Sequence, residues 1–356
     1  MNTNIEISNI NKHFFLNSDN DDEIKNISSD TTKIIKYCFY SLNEIEISNK
    51  VKKIPYYINN YLIIDDYDYI NVSQIDHKYI DKVSLQNDSK YLIFTYKNDN
   101  LIEFDDFLYN FTNPKQFIFH IIQSFKCILE SLIKLNDNNI CFFNLSPKNV
   151  VFNLHSGEKP VLRFFDFSIQ ISKLNEEYFS NIIQNLDDYY TYKPFEVHVL
   201  FYLIKNNINT ISYSFIEEIS DFFITNLSVL NLFSEKYKES YKTACVDFLK
   251  KYINKSKTHI ISDILNYNDK WDIYSLSVLY IHIIGNLIQV FSLKDTFLSK
   301  LVIDLSKNLH PDPLKRTNLD NMLENYKNLF DNQKNWQFVN NLSPSKMIQL
   351  YDILEK

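Results

Sequence analysis

Glycine occurs at only two of 356 positions, Gly157 and Gly285. A loop that cradles phosphates through close backbone approach needs several glycines, so no glycine-rich phosphate loop is available to this chain. Arginine is confined to Arg163 and Arg316, no long basic run occurs, and the formal net charge is -7. The electrostatic footprint of a nucleic-acid-binding protein is therefore missing. The four cysteines, Cys38, Cys127, Cys141 and Cys245, are scattered, with no C-x-x-C pair and no histidine at zinc spacing. They fit reduced, buried thiols in an intracellular protein. Long apolar runs are also lacking. The longest, Val278 to Phe291, is broken by His282, Gly285, Asn286 and Gln289, and is too short and interrupted to span a bilayer. Met1 to Ser8 is polar and acidic, unlike a secretory signal. The expectation is an intracellular, cytoplasmic protein with neither nucleic acid nor membrane as a partner.

What is present is a large apolar inventory, 45% of residues, enough to bury the core of one large domain or two lobes. Residues 1–30 are polar, with acids at Asp19, Asp21, Asp22 and Glu23, and suggest loose order or short edge strands. Lys33 to Phe39 suggests a strand, Asn43 to Ile54 has charged and apolar residues near helical spacing, and Tyr91 to Tyr96 is the strongest strand signal. After residue 100 the pattern turns helical. Asn113-Pro114 supplies a cap and a first-position proline, followed by an apolar face at Ile118, Ile121, Ile122, Phe125, Ile128, Leu129 and Leu132. Trp271 to Ile284 is apolar nearly all round, as a buried helix is, and Thr317 with Asp320 suggests a capping box. A strand-rich front and a helix-rich back predict an α+β chain in two lobes.

The chemistry-bearing residues lie in the middle. Ile140 to Phe152 reads ICFFNLSPKNVVF, and Phe164 to Ile169 reads FFDFSI, with a Gly157-Glu158 turn between two apolar runs. These segments resemble the catalytic loop H-R-D-L-K-P-E-N and the metal loop D-F-G of the eukaryotic-type protein kinase superfamily. Leu145, Pro147 and Asn149 match the Leu, Pro and metal-binding Asn of that pattern. Asp166 and Phe167 match the first two residues of D-F-G, with Ser168 in place of the Gly. Lys193-Pro194-Phe195-Glu196 resembles A-P-E. Asp272 to Leu276 resembles the start of the family's central helix, and Asp312 to Arg316 its D-P-x-x-R loop. The pieces fall in family order.

The resemblance implies a two-lobed kinase fold: a small sheet-rich N-lobe over 1–98 without a glycine-rich loop, and a helical C-lobe over 99–356. The C-lobe would carry a catalytic-type loop at 140–152, a metal-type loop at 164–169 and a helical insertion at 199–266. Tyr96 to Asp99 would join the lobes, with Asp105 to Leu108 opening the next helix. Asn149 and Asp166 would hold Mg beside ATP. Glu196 would pair with Arg316, and Asp272 would accept from the amides around Phe142 to Asn144. Phe142 keeps an apolar body at a position that packs against Phe167.

The departures are as informative. Phe142, Phe143 and Asn144 replace His, Arg and Asp, so Asn144 stands at the base position. An amide accepts a hydrogen bond but is no useful base near neutral pH. Ser146 replaces the Lys that meets developing phosphoryl charge, and Phe143 cannot bind a phosphorylated loop. In the front, Ile34-Ile35-Lys36 resembles the V-A-I-K strand, making Lys36 the candidate phosphate-binding lysine with Glu46 or Glu44 as its partner. The stretch from Glu196 to Asp272 is longer than the family has. It holds two amphipathic patterns, Phe215, Ile219, Phe222 and Phe223 behind a Ser214–Glu217 box, and Tyr241, Cys245, Phe248, Leu249 and Tyr252. They suit packing on the same lobe, or docking of a protein partner. The expected function is a pseudokinase that binds Mg-nucleotide weakly or acts as a regulatory scaffold. The alternatives are an active divergent Ser/Thr kinase and a nucleotide-independent interaction module.

Overall fold

β-Branched and aromatic residues dominate Asp30–Lys36 and Tyr91–Lys97, and the two pair antiparallel in full register, from Asp30 opposite Lys97 to Lys36 opposite Tyr91. The structure, a computed structural model, describes residues 9–10, 13–16, 30–70, 90–97, 101–154, 157–184, 186, 191–333 and 336–355. It is mixed α+β, 62% helical and 12% strand, and divides into two units. One comprises 1–102 with 151–168, the other 103–150 with 169–356.

The first unit is built on a five-stranded antiparallel sheet. Its strands are β1 (Asn9–Ile10), β2 (His13–Leu16), β3 (Asp30–Lys36), β4 (Asp66–Ile70) and β5 (Tyr91–Lys97), in the order β1-β2-β3-β5-β4. Between β3 and β4 runs the helix Phe39–Val51. It starts four residues earlier than its charge pattern suggests, because β3 ends at Lys36. Ile35, Ile45, Ile64, Leu92, Phe94 and Tyr96 form the core between sheet and helix. A second sheet joins β6 (Leu101–Glu103), β8 (Val150–Asn153) and β9 (Lys159–Leu162) in the order β6-β8-β9, where β7 (Ile140–Cys141) belongs to the other unit. The turn between β8 and β9 uses the positive φ of Gly157, +79°. Sequence order assigns 151–168 to the back lobe. The structure places it in the first unit, because β8 pairs with β6, β9 pairs with β8, and Tyr61 bridges Leu162.

The second unit is helical. Pro114–Asp137 starts as expected, with the Asn113 side chain accepting from the Lys115 amide. Trp271–Phe291 is buried along nearly its whole length and continues past Ile284. With its preceding turn, Asn268–Phe291 is long and apolar enough to cross a membrane, yet 78% of its most apolar 18-residue stretch is buried within the protein, as in a core helix. The short strands β7 and β10 (Ile169–Gln170) pair antiparallel. The region of the expected insertion carries the helices Phe195–Lys205, Tyr213–Asn226, Glu235–Lys250 and Lys257–Leu265. They pack within this unit: Phe195 meets Phe223 and Phe248, and the Tyr241 hydroxyl donates to Leu309 O at 2.6 Å. Two caps fall elsewhere than expected. Ser212, not Ser214, accepts from the Phe215 amide, and Asn318, not Thr317, accepts from Asn321. In each case the neighbouring short polar side chain reaches the third amide of the helix, which is what a cap needs.

Candidate functional site

Candidate functional side chains collect in two clusters, one in each unit. In the first unit, Lys33 and Glu44 lie 3.5 Å apart, with side chains 0% and 1% exposed. Two isolated charges could not stay buried there, and their mutual attraction offsets part of the desolvation cost. The Tyr96 hydroxyl donates to the other carboxylate oxygen of Glu44 at 3.1 Å. Burial pushes the Tyr96 hydroxyl well above its ordinary pKa, and the charges of Glu44 and Asp166 add to the effect. The hydroxyl therefore keeps its proton and remains a donor. The Phe164 ring lies 5.1 Å from the Lys33 ammonium, within range of a cation–π contact.

The sequence pattern points to Lys36 with Glu46 or Glu44 as its partner, and the structure shows an ion pair between Lys33 and Glu44. Lys36 is exposed, whereas Lys33 is buried. Three residues along a strand is an odd step, and an odd step reverses the face. Glu46 is half-buried and Glu44 is the glutamate at the lysine, since two residues along a helix turn about 200°. Strand and helix phase thus account for the burial of Lys33 and Glu44 and for the greater exposure of Lys36 and Glu46.

The same helix fixes the metal-type loop. The Asn43 side-chain amide donates to Asp166 O at 3.0 Å and to Ser168 O at 2.8 Å. A Ser168 N to Phe165 O bond of 3.1 Å closes a turn with Asp166 and Phe167 at its centre. Asp166 is buried, with one carboxylate oxygen accepting from the Phe167 amide at 3.1 Å. The Phe167 ring packs on Tyr40, 5.1 Å between centroids.

In the second unit the loop after β7 is held from below by Asp272, in the first turn of the helix Trp271–Phe291. Its two oxygens accept from the amides of Phe142 at 2.8 Å and Phe143 at 2.7 Å. Burial pushes this carboxyl above the usual range, against the pull of those amides, the Cys141 thiol and Lys193. Phe143 has φ +62°, and Asn144 N donates to Phe142 O at 2.7 Å, closing a tight three-residue turn. A positive φ at a bulky residue is strained, by roughly 1–3 kcal/mol, and persists where the surroundings over-determine it. Besides Asp272, they include Lys193, which donates to Phe143 O, and the rings of Trp271 and Phe179, 5.4 and 5.8 Å from that of Phe143. Phe142 is fully buried.

Beyond the strained turn, Asn144 and Ser146 are half-buried and Asn149 is buried. The Ser146 hydroxyl donates to Asn149 Oδ1 at 2.5 Å. That oxygen keeps a second lone pair for a cation. Among the described residues no three His, Cys, Asp or Glu side chains group as a metal site.

The structure also brings Glu196 and Arg316 together. Arg316 Nη1 and Nη2 donate to the two Glu196 oxygens at 2.6 and 2.7 Å, with both side chains out of solvent. Burial works against the Arg316 charge, but Glu196 outweighs it and the guanidinium pKa is raised. Lys33, Tyr96 and Lys193 are the residues that sequence reasoning missed. Strand parity carried a signal for Lys33. Nothing local marks Tyr96 or Lys193. The comparisons add no relative: no family model and no curated protein matches the chain.

Proposed function

We propose that the chain is a protein-kinase-like protein with a divergent two-lobed kinase fold, working as a pseudokinase that binds Mg-nucleotide weakly or serves as a regulatory scaffold. The observation that carries this reading is the pairing of motif positions far apart in sequence. Glu196 of the A-P-E-like segment forks onto Arg316 of the D-P-x-x-R-like loop, and Asp272 of the central helix holds the amides of Phe142 and Phe143. The buried Lys33–Glu44 pair supports the same reading in the front unit. Asn149 and Asp166 would hold Mg, and Lys33 would face the phosphates. Loss of phosphotransfer is inferred from Asn144 at the base position, Ser146 in place of Lys, and the absent glycine loop.

One observation favours a nucleotide-independent interaction module instead: the Lys33 side chain is 0% exposed. The helical insertion over 199–266 would then be the docking element for a protein partner. An active divergent Ser/Thr kinase stays as the remaining alternative, because both metal-ligand positions are kept. Thermal unfolding with ATP, with and without Mg²⁺, separates the readings. A Tm increase that requires Mg²⁺ and is lost in Asp166→Ala supports nucleotide binding. No increase under either condition favours the interaction module, and robust phosphorylation of a protein substrate makes the chain an active kinase.

A further inference from the structure

Lys193 stands just before the helix Phe195–Lys205, and its side chain is 2% exposed. Its ammonium donates to Phe143 O and, at 3.2 Å, to Asn144 Oδ1. It also lies 4.4 Å from the centre of the Phe143 ring. An ammonium has three donors and no acceptor, so the group that faces it must be the carboxamide oxygen. The NH2 group of Asn144 then turns away, and it makes no hydrogen bond among the described residues. Loss of the Lys193 proton does not undo this, since a neutral amine keeps two N–H groups for the same two acceptors. The titratable groups that face Lys193 are the Asp272 carboxyl and the Cys141 thiol. Burial lowers its pKa to about 7, while those two act in the opposite direction.

We propose that Lys193 is a positioning residue that holds Asn144 with its oxygen inward and its NH2 outward, so that the loop offers a hydrogen-bond donor where a protein kinase offers an acceptor. The proposal deepens the pseudokinase reading and rests on it only for the meaning of the Asn144 position. A substrate hydroxyl needs an acceptor for its proton, and here the one acceptor atom of the side chain is turned inward to Lys193, which takes one of its two lone pairs. The loop therefore discriminates against a hydroxyl nucleophile by orientation as well as by basicity. Restoring a carboxylate at 144 would create a partner for Lys193 before it created a base.

The test uses the full chain with Asn144→Asp, Lys193→Met and the double variant, unfolded thermally between pH 6 and 10. At pH 7, Asn144→Asp is expected to raise Tm by about 2–4 °C more with Lys193 present than in the Lys193→Met background. The pH profile gives a second readout. The folded pKa of Lys193 lies below the unfolded value of about 10.4, so the unfolded chain binds more protons between the two, and stability rises with pH from about 7 to about 10. In Asn144→Asp the carboxylate keeps the proton on Lys193, and that rise shrinks. Equal effects of Asn144→Asp in both backgrounds, or a rise unchanged by it, overturn the proposal. Should Lys193→Met fail to fold, the profile of Asn144→Asp against the native chain decides alone. Stabilisation by ATP and Mg²⁺ is measured on the same samples. Coupling without nucleotide stabilisation sinks nucleotide binding and leaves the positioning role, and the reverse result does the opposite.

Discussion

Arg316 and Glu196 are 120 residues apart in sequence and meet as a two-pronged ion pair with neither side chain exposed. The planar guanidinium fork matches a carboxylate as a lysine cannot. Arg316→Met strands a buried carboxylate and is expected to cost about 3–5 kcal/mol of stability. Arg316→Lys should recover only part of it. Urea unfolding of the three proteins measures this, and a loss below about 1 kcal/mol for Arg316→Met would show the pair to be dispensable.

The two front lysines should behave differently. Lys33→Met leaves Glu44 buried without its cation and is expected to cost about 3–5 kcal/mol. Lys36→Met, on the exposed face of the same strand, should stay within about 0.5 kcal/mol. The same urea measurement compares them, and similar losses would contradict the burial of Lys33.

Tyr96→Phe removes the hydroxyl that donates to Glu44. A buried carboxylate deprived of one donor is expected to cost about 1–3 kcal/mol. Calorimetry of this variant in the Glu44→Gln background provides the control. The Tyr96 effect should shrink there, because the acceptor no longer carries charge.

Asp272→Asn keeps one acceptor oxygen and turns the other position into a donor facing an amide. The strained turn at Phe143 then loses one of its two charged anchors, at about 1.5–3 kcal/mol. Hydrogen exchange at the Phe142 and Phe143 amides should quicken in this variant while distant amides keep their protection.

If Mg-nucleotide binds, Asp166→Ala should abolish the Mg-dependent rise in Tm, and Asn149→Ala should weaken it. Ser146→Ala, which frees Asn149 Oδ1 from its hydrogen bond, should leave that rise intact or enlarge it. Isothermal titration with Mg-ATP checks the order of the three affinities.

Elements with strong local signals were legible from the chain alone. The Asn113-Pro114 start, the buried character of Trp271–Phe291, and the Gly157 turn follow from capping, apolar periodicity and positive φ. Boundaries were less legible where several short polar residues stand together. Ser212 and Ser214, or Thr317 and Asn318, differ only in which one reaches the right amide.

The site shows the same division. Motif order alone brought forward Asn144, Asn149, Asp166, Glu196, Asp272 and Arg316, because each sits in a recognisable local context. The phase of strand and helix decided Lys33 over Lys36 and Glu44 over Glu46, and one step of misalignment sends a side chain to the opposite face. Lys193 lay beyond sequence reasoning altogether. Its role comes from being packed beneath a loop 49 residues away, against Asn144, and no local pattern encodes a contact made through the core. Sequence by itself determined the kinds of groups available: an amide at Asn144, and too few glycines for a glycine-rich phosphate loop. Only the tertiary structure decided which of those groups face one another, because burial makes an unpaired charge costly and so selects the partners.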